Sequence, residues 1–151
     1  MSQYAKTTDV PTNVTRSEIE RTLTRYGASE FGYVTSGNII AIMFTIKYLT
    51  VKMVLPLPDE DSVKLTETGR RRSVASYKQY YDQLLRQRWR ALALVIKAKL
   101  EAVECNISTL EREFLADTMT PNGEIVYQVI KPQLESMQTT HEQPRLLLSA
   151  K

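Results

Sequence analysis

The sequence predicts a single α+β domain with an N-terminal helix, a three-stranded antiparallel sheet, one long helix and two shorter C-terminal helices. Three observations carry that expectation. Apolar residues recur at three- and four-residue steps up to Gly27, and again through a stretch free of Gly and Pro from Ser73 to Cys105. Between these lie alternating, β-branched-rich runs broken by turn residues. The chain has 151 residues, 42% of them hydrophobic and 25% charged, which is the size and balance of one domain with a true core. Residues 14–138 are expected to form that domain, with loose tails at 1–13 and 139–151.

The first helix is expected over about 16–26. Thr15 stands as N-cap with Glu18 three residues on, and Val14 with Ile19 forms a hydrophobic staple. Ile19, Leu23 and Tyr26 share a face, and Gly27 ends it. Phe31, Tyr33 and Val34 mark a first strand, closed by a Ser36-Gly37-Asn38 turn. Ile40, Ile42, Phe44 and Ile46 line one face of a second strand. Val51, Met53, Leu55 and Leu57 line a third, which Pro56 and Pro58 close as an edge. Lys47-Tyr48 joins the two without the Asn-Gly signal, so their register stays open. A membrane span over 38–58 is disfavoured, because Lys47 and Lys52 would each cost roughly 2.5–3.5 kcal/mol at the bilayer centre.

Residues 59–72 read as a flexible loop, acidic at Asp59-Glu60-Asp61 and basic at Arg70-Arg71-Arg72. The long helix follows, capped by Ser73 or by Ser76 with Gln79. Tyr77, Tyr81, Leu84, Leu85, Trp89, Leu92, Ile96, Leu100 and Val103 form its stripe. Some 30 residues would span about 45 Å, long for a domain of this size. Small residues at Ala93, Ala98 and Ala102 fit core packing or a subunit interface alike, and an apolar second sheet face at Ile39, Ala41, Met43 and Val54 suggests burial in an oligomer or under the terminal helices; with the length of the helix, a homo-oligomer is expected. Ser108 with Glu111 caps a further helix holding Leu110, Phe114 and Leu115. Pro121-Asn122-Gly123 is a turn. A last helix is expected over about 124–138, kinked or restarted by Pro132, with a strand at 125–130 as the alternative. Leu146-Leu147-Leu148 is an apolar run for a tail.

The chemistry-bearing residues are few. His141 is the only histidine and Cys105 the only cysteine, which leaves no His-based triad, disulfide or cysteine zinc site. No Gly-Lys-Ser/Thr phosphate loop or dinucleotide glycine pattern occurs. The acids Asp59, Glu60 and Asp61, and Glu101, Glu104, Glu111 and Glu113, read as surface charge rather than metal sites. The expectation is a non-enzyme with no cofactor. With no apolar leader between Met1 and Pro11, it is placed in the cytoplasm.

The positive signal is basic. From Arg70 to Cys105, nine Lys/Arg stand against three acids, a local +6 within a chain of net charge +3. Arg70, Arg71, Arg72, Lys78, Arg86, Arg88 and Arg90 supply phosphate donors, and Trp89 among them supplies a ring for stacking bases. Equally, Trp89 fits the core stripe, and helix arginines are commonly solvated.

Leu55-Pro-Leu-Pro-Asp59, then Arg86-Gln-Arg-Trp-Arg-Ala-Leu-Ala-Leu-Val-Ile-Lys-Ala-Lys-Leu-Glu-Ala102, then Phe114-Leu-Ala116 ahead of the Pro-Asn-Gly turn, resemble a family of small uncharacterised bacteriophage proteins over about residues 15–138. The resemblance implies a viral origin and action inside a host bacterial cell. It brings no catalytic or binding residue with it. The order helix, three strands, helix is also similar to that of double-stranded-RNA-binding domains and annealing-protein cores. The expected function is nucleic-acid binding through the basic face of the long helix. The alternative is an oligomeric anti-defence protein that sequesters a nucleotide signal or inhibits a host defence protein.

Overall fold

A computed structural model describes residues 7–140. His141, Leu146–Leu148 and most of the expected tails lie outside those residues. The elements run α1 (Thr12–Arg25), β1 (Ala28–Ser36), β2 (Ile39–Ile46), β3 (Leu49–Pro56), α2 (Glu60–Val63), α3 (Val74–Glu104), α4 (Leu110–Phe114), a 3₁₀ turn (Leu115–Asp117) and α5 (Val126–Thr140). The expected α+β architecture is present, with α2 and the 3₁₀ turn added to it.

The sheet is antiparallel in the order β1-β2-β3. Gly27 at φ +90 and Gly37 at φ +53 make the chain reversals that bracket β1. At the second hairpin Lys47 itself takes φ 54, the left-handed conformation that a two-residue turn demands, and pairs Ile46 with Leu49. That register puts Phe31 and Tyr33, Ile42, Phe44 and Ile46, and Val51, Met53 and Leu55 on one face. The helices α1, α3 and α4 cover this face. Ile19 and Leu23 of α1, Trp89, Leu92, Ile96 and Leu100 of α3, and Leu110 and Phe114 of α4 are buried with it. Each such side chain contributes about 1.5–3 kcal/mol. Phe44 and Phe114 meet edge to face at 5.7 Å, as do Tyr33 and Trp89.

The opposite sheet face leaves Val34, Ile39 and Val54 exposed. The free edge of β3 is lined by the chain after the 3₁₀ turn. Thr118 bridges to Val51, and the Met119 amide donates to the Thr50 carbonyl at 2.8 Å. This blunts an edge that would otherwise pair with other chains.

Three local expectations are corrected. The first helix begins at Thr12, after Pro11, whose fixed φ of −60 leads the chain in without a side-chain cap. Thr15 is therefore inside the helix and wholly buried, while Val14, 49% exposed, staples nothing. Residues 59–72 are ordered rather than loose. Asp59 caps α2, and Leu65 bridges to Arg71 around a turn in which Gly69 takes φ +76. At α4 the cap is Thr109, accepting from the Arg112 amide at 3.3 Å, while Ser108 Oγ is buried without a partner. The expected last helix is present as α5, with Pro132 inside it, and Ile125 just before it makes a β-bridge to Met119. α5 packs chiefly on the 3₁₀ turn and adds no residue to the core. Ser73 caps α3, accepting from the Ser76 amide at 3.3 Å.

Candidate anion-binding surface

The basic residues singled out by sequence divide into two groups in space, those at the middle of α3 and those at its start. In the middle, Trp89 is 2% exposed and belongs to the core, so its ring is closed to bases. Its neighbours are tied to their own chain. Arg88 donates to the Pro56 carbonyl, which fastens α3 to the end of β3. Arg90 pairs with Glu18 and fastens α3 to α1. Arg86 is half-buried and lines a shallow groove together with Asp9 and Asp82.

The start of α3 is different. The hairpin that precedes it is closed by the Arg72 amide on the Lys64 carbonyl at 2.8 Å and by the Thr66 amide on the Arg70 carbonyl at 2.7 Å. Arg72 is then a structural residue. Its Nε donates to the Val63 carbonyl at 3.2 Å, and its guanidinium lies 4.1 Å from the centre of the Tyr80 ring. Arg70 and Arg71 project from the same hairpin into solvent, and Lys78 is exposed one turn into the helix. None of these three side chains has an ion-pair partner among the described residues. Of the acids in this region, Asp61 is held below the usual carboxylate range by its hydrogen bond to Lys64 at 2.9 Å. Loss of water, and Glu60 beside it, push the Tyr77 hydroxyl up. The positive end of the α3 dipole adds to the three cations.

A cation missed by sequence reasoning is Arg16, whose guanidinium stacks 4.3 Å from the Tyr33 ring centre and 5.5 Å from that of Trp89. It lies more than fifty residues from the basic run, so linear clustering could not reveal it. Its only signal was a place on α1 three residues before the buried Ile19.

Four of the carboxylates singled out by sequence have partners within the fold. The Tyr26 hydroxyl lies 2.9 Å from Glu101 and 2.7 Å from Glu104 and shares its one proton between them, with Arg25 3.8 and 3.7 Å away. Glu111 accepts from Tyr48, and Glu113 lies 4.0 Å from Lys99. No group of three candidate ligands for a metal occurs among the described residues. Cys105 is exposed. No helix among the described residues is long and apolar enough to cross a membrane.

Glu104 above all, with some loss of water and then Glu101, pushes the Tyr26 hydroxyl from 10.0 up to about 12. The folded value stands above the unfolded one. The contact therefore stabilises the fold in full below pH 10.0 and is lost as the pH rises toward about 12. The difference between ultraviolet titrations of the parent and of Tyr26→Phe is expected to have its midpoint at about 12. A midpoint at the ordinary 10.0 would mean that the contact does not persist in solution.

Comparison of this chain with protein-family models, with curated proteins and with solved structures finds no match.

Proposed function

We propose that this is a non-enzymatic phage protein that binds nucleic acid in the cytoplasm of its host. The reading rests on one observation above others: Arg70, Arg71 and Lys78 stand exposed and without ion-pair partners among the described residues, beside the amino end of a 31-residue helix. Arginine forks and a lysine point charge at a helix N-terminus suit the oxygens of a phosphate backbone. Contacts of this kind to phosphates are electrostatic and carry no sequence information. Arg86 sits two turns further on and is half-buried in a groove with Asp9 and Asp82, so it is not assigned a phosphate.

The test is fluorescence anisotropy with labelled duplex DNA, duplex RNA and single strands over a salt series. Binding should weaken steeply as salt rises. An affinity that does not change with salt, or no binding at low salt, would remove the proposal.

The alternative, an oligomeric anti-defence protein that sequesters a nucleotide signal or inhibits a host defence protein, is favoured by the apolar surface that α3 and the sheet leave exposed. A thermal shift with a cyclic dinucleotide, in a protein that ignores duplexes, would select it.

A further inference from the structure

Near the start of α3, on the side turned away from the sheet, Arg72, Ser76, Gln79, Tyr80 and Gln83 line a groove of about 300 Å³. Three- and four-residue steps put Ser76, Gln79, Tyr80 and Gln83 on one face of the helix. Arg72 reaches that face from the preceding hairpin. Its Nε is held by the Val63 carbonyl at 3.2 Å, and its guanidinium lies 4.1 Å from the centre of the Tyr80 ring. At the other end, the Gln83 amide donates to the Thr8 carbonyl at 3.1 Å. With Arg72 in place Tyr80 is still 39% exposed. The ring is thus held still and left open, which spares a ligand the cost of ordering it.

The chemistry of this groove sets it apart. The groove beside Arg86 holds Asp9 and Asp82, that on α1 holds Glu20, and that on α5 holds Glu135, whereas this one holds no carboxylate. Its polar groups are carboxamides, hydroxyls and a guanidinium, which meet the ring nitrogens and carbonyls of a base as donors and acceptors. The volume is at the small end of ligand clefts and suits one planar ring system. A base laid in it meets a tyrosine ring and a guanidinium, the two kinds of planar group on which unpaired bases stack. Trp89, which the sequence offers for stacking, is shut in the core, and Tyr80 stands open earlier on the same helix.

The groove also adjoins a free cation. The bridge of Leu65 to Arg71 keeps residues 70–72 extended, and alternate side chains of an extended chain share a side, so Arg70 lies on the side of Arg72. A strand with one base in the groove therefore runs its phosphates past Arg70. In a duplex each base is paired and stacked on its neighbours, and bringing one to the ring costs both interactions. A single strand turns a base out at little cost. We propose that the ligand of this surface is a single strand of nucleic acid, one base of which lies in the groove against Tyr80 while Arg70 holds a phosphate beside it. The inference rests on the phosphate-binding reading of Arg70, Arg71 and Lys78, and adds to it the strand state of the ligand and the place of a base.

The test is fluorescence anisotropy of the full chain with labelled oligothymidylate, with labelled oligouridylate, and with the thymidylate strand annealed to oligoadenylate. At least one of the single strands should bind more tightly than the duplex at equal salt, and the tighter of the two identifies the ligand as DNA or RNA. Tyr80→Leu keeps the apolar bulk and removes the ring. It should weaken single-strand binding about tenfold and leave the salt slope and the duplex affinity unchanged, because stacking displaces no counterions. Tyr80→Phe should bind as the parent does. Should Tyr80→Leu lose its helical circular dichroism, irradiation of the parent bound to a strand carrying iodouracil decides instead: an adduct on Tyr80 supports the base site, and adducts only elsewhere overturn it. A duplex bound as tightly as both strands, or a folded Tyr80→Leu that binds them as the parent does, would overturn the base site and leave the phosphate surface standing. No binding of any of the three at low salt would remove both.

Discussion

Trp89→Ala is expected to destabilise the fold by about 3–5 kcal/mol, the range for an aromatic side chain removed from a packed core. A domain of this size has only about 5–15 kcal/mol in all, so the variant should be near unfolding at physiological temperature. The site has little means of collapsing around the loss. Trp89 lies midway along α3, meets Tyr33 edge to face, carries Arg16 over its ring, and is flanked by Arg88 and Arg90, which clamp the helix to β3 and α1. Those clamps hold the backbone in place, so a cavity remains where the indole was. Trp89→Phe keeps part of the ring contact and should cost less. Leu94→Ala, on the opposite side of the same helix, should cost a monomer no more than about 0.5 kcal/mol. Urea unfolding followed by circular dichroism measures all three. A loss below about 1 kcal/mol for Trp89→Ala would show that the indole is not packed as described.

Replacing Arg70, Arg71 and Lys78 together by alanine is expected to weaken nucleic-acid binding about a hundredfold near 0.15 M salt and to lower the salt slope by about 2–3. Each lost phosphate contact accounts for about 0.9 of that slope through the counterions it no longer displaces. The fold should be unaffected, because the three side chains are exposed and make no ion pair among the described residues. Arg88→Ala with Arg90→Ala is the informative contrast. These arginines lie in the same basic run but are occupied by Pro56 and Glu18, so their loss should lower stability and leave the slope unchanged. If the slope instead follows Arg88 and Arg90, the binding surface has been placed at the wrong end of the helix.

Much of the fold was legible in the sequence. The hydrophobic period of α3, its Ser73 cap and its freedom from Gly and Pro identify a 31-residue helix almost to the residue. The alternation in β2 and β3 marks which side chains face inward, because a pleated strand turns successive residues to opposite faces. Less legible were features that depend on neighbours distant in sequence. Thr15 reads as a cap because Glu18 follows it, yet α1 starts earlier, and Glu18 is taken by Arg90 some seventy residues on. The 59–72 segment reads as a loose loop because it has no period. It is ordered by a β-bridge, the Asp59 cap and the grip of Arg72 on Val63, none of which has a periodic signature.

The basic run of the long helix shows the same division at the candidate site. Sequence by itself determined that the cations are concentrated there, that the helix is long, and that one of its faces is apolar, because those properties follow from residue type and spacing along a single element. Only the tertiary structure decided which of those cations are available. An arginine in reach of a carbonyl or a carboxylate of its own fold becomes part of the scaffold, and one that projects past the last contact stays free. Arg88 and Arg90 fall over β3 and α1 and are consumed. Arg70 and Arg71 on the hairpin before α3, and Lys78 in its second turn, project into solvent with no ion-pair partner among the described residues.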